Sequence, residues 1–139
     1  MTMTNKNKFR AWDESDKRMY KCIVGNADKE DDDYICPLIW VEERRNWVHS
    51  DTCTIMQCTG VTDKNNVEIY EGDIIKYTSN IINCFYQIDN ILRTVKFKHG
   101  TYGIDGVENG SFISFANIPE NECEVVGNIY ETFHQKETL

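Results

Sequence analysis

Nothing in the 139-residue chain offers a run of about 18 apolar residues, the length a membrane-spanning helix needs. The opening residues, MTMTNKNKFRAWDES, lack the apolar core of a secretion signal, so the expected setting is the cytosol, with no membrane contact. Histidine is scarce: His49, His99 and His134 are the only three, and none sits in a recognisable nucleophile motif. Glycine is present without a nucleotide loop. Gly100-Thr101-Tyr102-Gly103-Ile104-Asp105-Gly106 has neither a G-x-G core nor a Gly-Lys-Ser/Thr end, and it reads as hairpin turns. Basic residues are the minority, 15 Lys and Arg against 23 Asp and Glu, for a formal net charge of −8. Phosphate backbones repel such a protein unless its cations gather on one face. Nucleic acid is therefore the weaker expectation, and a basic or neutral protein partner the better one.

What the chain does have is enough apolar material to order a core: 40% hydrophobic and 12% aromatic residues, in a length that fits one domain or two very small ones. Its six cysteines, Cys22, Cys36, Cys53, Cys58, Cys84 and Cys123, would suit three disulfides in a secreted protein. Without an export signal they are expected to be reduced and to fill half-buried strand positions.

The pattern along the chain is that of short strands and tight turns. Phe9 to Trp12, a polar turn at Asp13 to Lys17, and Arg18 to Val24 predict a β-hairpin, with Tyr20, Cys22 and Val24 on one face and Lys21 on the other. Residues 25–33 carry five acids in their last six positions and predict a solvated loop. Tyr34 to Val41 contains Pro37, which cannot donate to a ladder, and so predicts an edge strand or irregular segment. Short strands follow at Arg44 to His49 and Thr52 to Gln57. Thr62 to Asn66 is a turn in which Asn65 and Asn66 suit positive φ, and Gly72-Asp73 breaks the chain before Ile74 to Tyr77. Residues 78–91 fit a helix or a loop and strand. In Thr94-Val95-Lys96-Phe97-Lys98 the alternation places Val95 and Phe97 inward and the lysines outward. Ser111 to Ala116 and Glu124 to Tyr130 are the closing strands, with a turn at Ile118-Pro119-Glu120-Asn121 between them. The fold class is all-β or β-rich α+β, and barrel closure is the usual protection for the edges of so small a sheet.

Three separated pieces carry a likeness to a known family. They are Lys8-Phe9-Arg10-Ala11-Trp12-Asp13 with Met19-Tyr20; Met56 to Asn66 running into Glu68-Ile69-Tyr70-Glu71-Gly72-Asp73-Ile74-Ile75; and Glu124-Val125-Val126-Gly127-Asn128-Ile129-Tyr130-Glu131. In these the chain resembles the YopX family of bacteriophage and prophage proteins. It departs from the family pattern at Asn66, where glycine is usual, and at Val67, where lysine is usual. Asparagine tolerates the left-handed conformation, so the turn survives. The acidic run and residues 78–91 look particular to this chain. The resemblance implies an SH3-like barrel over residues 57–133, a smaller β-rich part over 1–56 and a phage or prophage origin; the polar tail at 134–139 is expected to fray. It brings no catalytic residues.

Several constellations are weighed against plainer readings. Trp12, Trp40, Trp47, Tyr70, Tyr102 and Phe115 either fill the core or form an aromatic patch, and Trp40, Trp47 and Tyr102 are the partner-binding candidates. Asp28, Glu30, Asp31, Asp32 and Asp33 are either a solvated segment or a phosphate mimic that occupies a nucleic-acid site on a host protein. His49, Cys53 and Cys58 lack a C-x₂-C knuckle and an obvious fourth ligand, so no metal is expected. Asp63 begins a calcium-like run, but Val67 and Ile74 stand where oxygen ligands are needed. No cofactor is implied. The expected function is a non-enzymatic phage or prophage accessory protein that binds a host or phage protein, in its sharper form an inhibitor of a host nucleic-acid enzyme or defence system. The alternatives are a nucleic-acid-binding barrel in phage replication or transcription control, using Lys8, Arg10, Lys96 and Lys98, and a nucleotide-binding sponge. Lys6, Lys8, Arg10, Arg18 and Lys21 form a further modest basic cluster.

Overall fold

The computed structural model describes residues 8–31, 34–41, 43–79, 90–107 and 110–131, with backbone alone for 26–31, 34–38 and 49. The chain is strand-rich and divides into two compact units between Cys58 and Thr59. Among the described residues no helix is long and apolar enough to cross a membrane.

In the first unit the strands are β1 (Phe9–Asp13), β2 (Arg18–Asp31), β3 (Tyr34–Val41), β4 (Asn46–His49) and β5 (Cys53–Thr62), which carries the chain into the second unit. They lie in the order β4-β3-β2-β1-β5, every neighbour antiparallel. The alternation in β2 has its predicted effect. Tyr20 and Cys22 are buried with Ala11, Ile39 and Val41, while Phe9, Val24, Val48, Cys53 and Ile55 pack around them, all from one face of the sheet. Asp13 fixes the first turn, its Oδ1 accepting from the Ser15 N–H at 2.9 Å and the Ser15 hydroxyl at 2.7 Å. Trp12 is buried and donates its indole N–H to Glu14 at 2.9 Å, a core residue with a satisfied polar tip.

The acidic segment corrects an expectation. Instead of looping out, β2 runs on through Asp31, with Ala27 opposite Pro37, Asp28 opposite Cys36 and Asp31 opposite Tyr34. Since β1 pairs only as far as Cys22 and β4 only with Leu38 to Val41, this end of the hairpin is a two-stranded ribbon among the described residues. Backbone pairing needs no apolar side chain. Pro37 falls where β3 has no β4 partner, so its missing N–H interrupts no ladder on that side. Asp32 and Asp33 lie outside the described residues.

The second unit contains β6 (Glu68–Tyr70), β7 (Asp73–Tyr77), β8 (Ile91–Thr94), β9 (Lys96–Lys98), β10 (Thr101–Asp105), β11 (Phe112–Ser114) and β12 (Cys123–Asn128). The end of β5 pairs with β6, and two three-stranded antiparallel sheets follow, β12-β7-β8 and β11-β10-β9. Among the described residues both sheets are open, and strand pairing does not close them into one barrel circuit. A single core serves them: Ile69, Ile75, Tyr77, Val95, Ile104, Phe115, Ile118 and Cys123. The predicted closing strands are shorter than expected. Phe115–Asn117 and Glu120–Glu122 are 3₁₀ turns, and after Asn128 the backbone turns helical at 129–131, where Asn128 Oδ1 accepts the N–H groups of Tyr130 and Glu131 at 3.0 and 2.8 Å. Val95 is buried as expected, but in the break between β8 and β9. Phe97 is 55% exposed, on a strand that lies at the edge of its sheet among the described residues. The ambiguous stretch 80–89 and the tail 134–139 lie outside the described residues.

Candidate functional site

Cross-strand register assembles an aromatic ledge on the face of the first unit opposite its core. Ile23 on β2 stands opposite Trp40 on β3, and Trp40 stands opposite Trp47 on β4. The two indoles meet edge to face, centroids 5.6 Å apart and planes at 66°, the arrangement favoured by the ring quadrupole. Ile23 is 54% exposed and Trp47 44%, whereas Trp40 between them is half-buried. Gly25, two residues beyond Ile23 on the same face, leaves room for the Trp47 ring, which a Cβ at that position would overlap. The acidic ribbon continues directly from this ledge along β2 and β3.

Of the predicted partner-binding residues, Trp40 and Trp47 come together on this face. The backbone of Asp28, Glu30 and Asp31 lies in the adjoining ribbon, on the same strand as Ile23. Tyr102 belongs to the second unit instead. It is half-buried against the core there, with its ring 4.9 Å from that of Phe97. Ile23 and Gly25 are members of the ledge that sequence reading missed. Their only signal is parity along β2 with respect to the core residues Cys22 and Val24.

On the opposite, core face of the sheet, Arg44 caps the buried Tyr20. Its guanidinium lies 4.8 Å from the ring centroid and donates to the phenol oxygen at 2.9 Å, while the phenol donates to Asp16 at 2.5 Å. The bond to Asp16, followed by burial, raises the Tyr20 pKa. Arg18 pairs with Glu43 at 2.9 Å, so part of the basic cluster on the first hairpin is already engaged. Lys6 is outside the described residues. Lys8 and Arg10 lie in the first unit and Lys96 and Lys98 in the second.

The other constellations resolve into structure. Cys53 packs on the core face of β5, while Cys58 belongs to the opposite face by strand parity, so the two thiols do not converge on one metal; the His49 side chain is not described. Burial pushes the Cys22 thiol up to about 11, with neighbouring Cys53 adding to the effect. Asp63, 2% exposed, uses both carboxylate oxygens on backbone donors: Oδ1 accepts from Asn65 and Val67 at 2.9 Å each, and Oδ2 from Val125 at 2.8 Å. Asn66 takes the left-handed conformation (φ 62°) expected of it. Asp73 Oδ2 accepts from the Tyr70 N–H at 2.8 Å across the break at Gly72, whose φ is 87°. These turn-holding residues are the same ones that carry the family likeness.

Comparison with known proteins agrees with that likeness. The family described as YopX protein matches residues 8–134. No curated protein matches the chain. Among solved structures it is similar to the crystal structure of protein EF1440 from Enterococcus faecalis, with a TM-score of 0.57 and 24% identity over 92% of this chain and 96% of that one, a likeness of fold alone. With nearly the whole described chain inside the matched region, the protein belongs to the YopX family.

Proposed function

We propose that this YopX-family chain is a phage or prophage accessory protein acting in the host cytosol as a non-enzymatic protein-interaction module, with the β2–β3 hairpin as its recognition element. The observation that carries the reading is the row Ile23–Trp40–Trp47, apolar and open on a sheet face, continuing into a ribbon rich in acids. Indoles held at fixed geometry are strong binding anchors because they bury large area at little entropic cost. The acidic ribbon selects a partner whose apolar contact patch is bordered by lysine and arginine. A host nucleic-acid enzyme or defence protein has such a surface where it meets phosphate, and inhibition follows if the ribbon occupies it. For the second unit we propose an SH3-like barrel, supported by the single core that both of its sheets share.

The test is quantitative capture from a host lysate by the intact chain, by W40A/W47A, and by a variant with Asp31, Asp32 and Asp33 changed to serine. A captured protein is then purified and titrated at low and high salt. The reading requires the tryptophan variant to lose at least about tenfold in affinity and the serine variant to lose the salt dependence of binding. Equal affinity for all three proteins overturns it.

A further inference from the structure

The second unit holds a cleft of about 500 Å³ lined by Arg93, Lys98, Asp105, Gly106, Val107, Gly110 and Ser111. That volume falls within the range of small-molecule sites, roughly 300–1,000 Å³. Among the described residues its lining carries two cations, Arg93 and Lys98, against one carboxylate, Asp105, the reverse of the balance along the chain. Lys96 and Lys98 share one face of the edge strand β9, and both reach Asp105 on β10, at 2.8 and 3.8 Å. Arg93 on β8 completes the set; its guanidinium donates to the Leu92 carbonyl at 2.9 Å and makes no ion pair among the described residues. Three cations thus meet a single carboxylate among the described side chains of this cluster. They hold the Asp105 carboxyl below its usual range, Lys96 first through its hydrogen bond. At Gly110 (φ 82°) nothing lies near where a Cβ would be, so a ligand can approach the backbone there, whereas at Gly106 the Ser111 side chain occupies that space. Beside the cleft, the Lys98 ammonium sits 5.8 Å from the Phe112 ring centroid, and the His99 ring is 6.2 Å from Phe112.

Converging cations, an open backbone wall and a flanking ring are the elements that hold a phosphate with a base stacked next to it. We infer that this cleft binds the phosphate of a nucleotide unit, either free or within a single strand. Asp105 keeps the lysines in place when the cleft is empty and competes with the phosphate for them. The overall charge of −8 works against binding at long range. Screening by salt shortens that repulsion to about a Debye length. The proposal is independent of the tryptophan ledge and rests on different residues.

The intact chain is titrated at about 50 mM salt with a fluorescein-labelled oligothymidylate, with ADP, with inorganic phosphate and with an oligoglutamate peptide, and the Gly106, Gly110 and Ser111 amides are followed by NMR. Saturable shifts at those amides are expected with the oligonucleotide, the ADP, or both. Binding of the oligonucleotide alone identifies a strand as the source, and comparable binding of ADP identifies the free nucleotide. Arg93→Gln and Lys98→Gln should each weaken binding by roughly tenfold and lower the salt slope by about one. Asp105→Asn should tighten binding, which a merely structural role for Asp105 would not do. The inference is overturned by any of several results: no saturable binding of oligonucleotide or ADP, binding of inorganic phosphate alone, oligoglutamate binding as tightly as the oligonucleotide, Arg93 and Lys98 variants that bind normally, or weaker binding by Asp105→Asn.

Discussion

Asp63 Oδ2 accepts the backbone N–H of Val125, a residue 62 positions further along the chain, at 2.8 Å. The same carboxylate closes its own turn through Asn65 and Val67, and the Lys64 N–H reaches the Cys123 carbonyl at 3.0 Å alongside it. One buried acid therefore ties the most family-like turn of the sequence to the last strand. The bulge in β12 between Val125 and Gly127 lies at this tie. The YopX-like motifs are thereby accounted for as the fastenings of a strand-rich scaffold. The residues proposed to recognise partners lie elsewhere.

Asp63→Asn keeps one acceptor oxygen for the local turn and turns an amide donor toward the Val125 N–H, or the reverse. Either way a buried donor is left without an acceptor, and the expected loss of stability is about 2 kcal/mol. Asp63→Ala strands all three donors and should cost more. Urea unfolding followed by tryptophan fluorescence measures both. A loss below about 0.5 kcal/mol for either variant would show that the tie does not hold the strand.

Gly25→Val isolates the ledge from the fold. The φ at Gly25 is not in the left-handed region, so a side chain is tolerated by the backbone, and valine favours strands. The new Cβ overlaps only the Trp47 ring, which is already half in water and can swing away. The expectation is a changed tryptophan emission spectrum with stability altered by less than about 1 kcal/mol. Partner affinity should fall, in the direction expected for W40A/W47A. An unchanged spectrum would place Trp47 elsewhere.

Much of the first unit was legible because its signals are local. The alternation of Tyr20, Cys22 and Val24 against Lys21 predicted the core face of β2, and the polar residues from Asp13 predicted the turn. The ribbon was not legible, since acidic side chains report solvation and say nothing about whether the backbone beneath them is paired. Phe97 misled for a related reason: alternation assigns a face, but only the order of strands tells whether anything covers it. Trp40 and Trp47 were singled out as candidates, yet their meeting with Ile23 depends on registers across three strands, which no window of sequence contains. The same applies to the cleft, where Arg93 and Lys98 meet Asp105 from separate strands.

If the two indoles work as one anchor, their contributions to stability should be coupled. W40A removes a half-buried ring and should cost about 2 kcal/mol, and W47A, on the exposed edge, less than about 1 kcal/mol. An edge-to-face pair contributes roughly 0.5–1.5 kcal/mol beyond area burial. The double variant should accordingly be less destabilised than the sum of the singles by about 1 kcal/mol. Strict additivity in denaturant titrations would mean the rings do not interact in solution.

Alkaline pH should loosen both units through their buried thiols. Burial pushes Cys22 in the first unit and Cys123 in the second up to about 11, with Cys53 adding to the first and Asp63 leading the acidic neighbours of the second. A thiol whose folded pKa exceeds its unfolded value leaves stability unchanged below the unfolded pKa. As pH rises past that value the unfolded chain ionises first and the folded state loses ground, until the folded pKa is passed. The window therefore runs from about pH 9 to about 11. A shift of this size corresponds to about 2–3 kcal/mol per thiol at the upper end. Tyr77, also raised by burial, acts in the same direction, so the comparison must be between proteins that differ only at the cysteine. Cys123→Ala should be less stable than the parent at pH 7 because it leaves a small void, yet should decline less steeply between pH 9 and 11. Urea midpoints across that range give the slopes. Parallel curves for parent and variant would show that the thiol ionises as freely in the folded protein as in the unfolded chain.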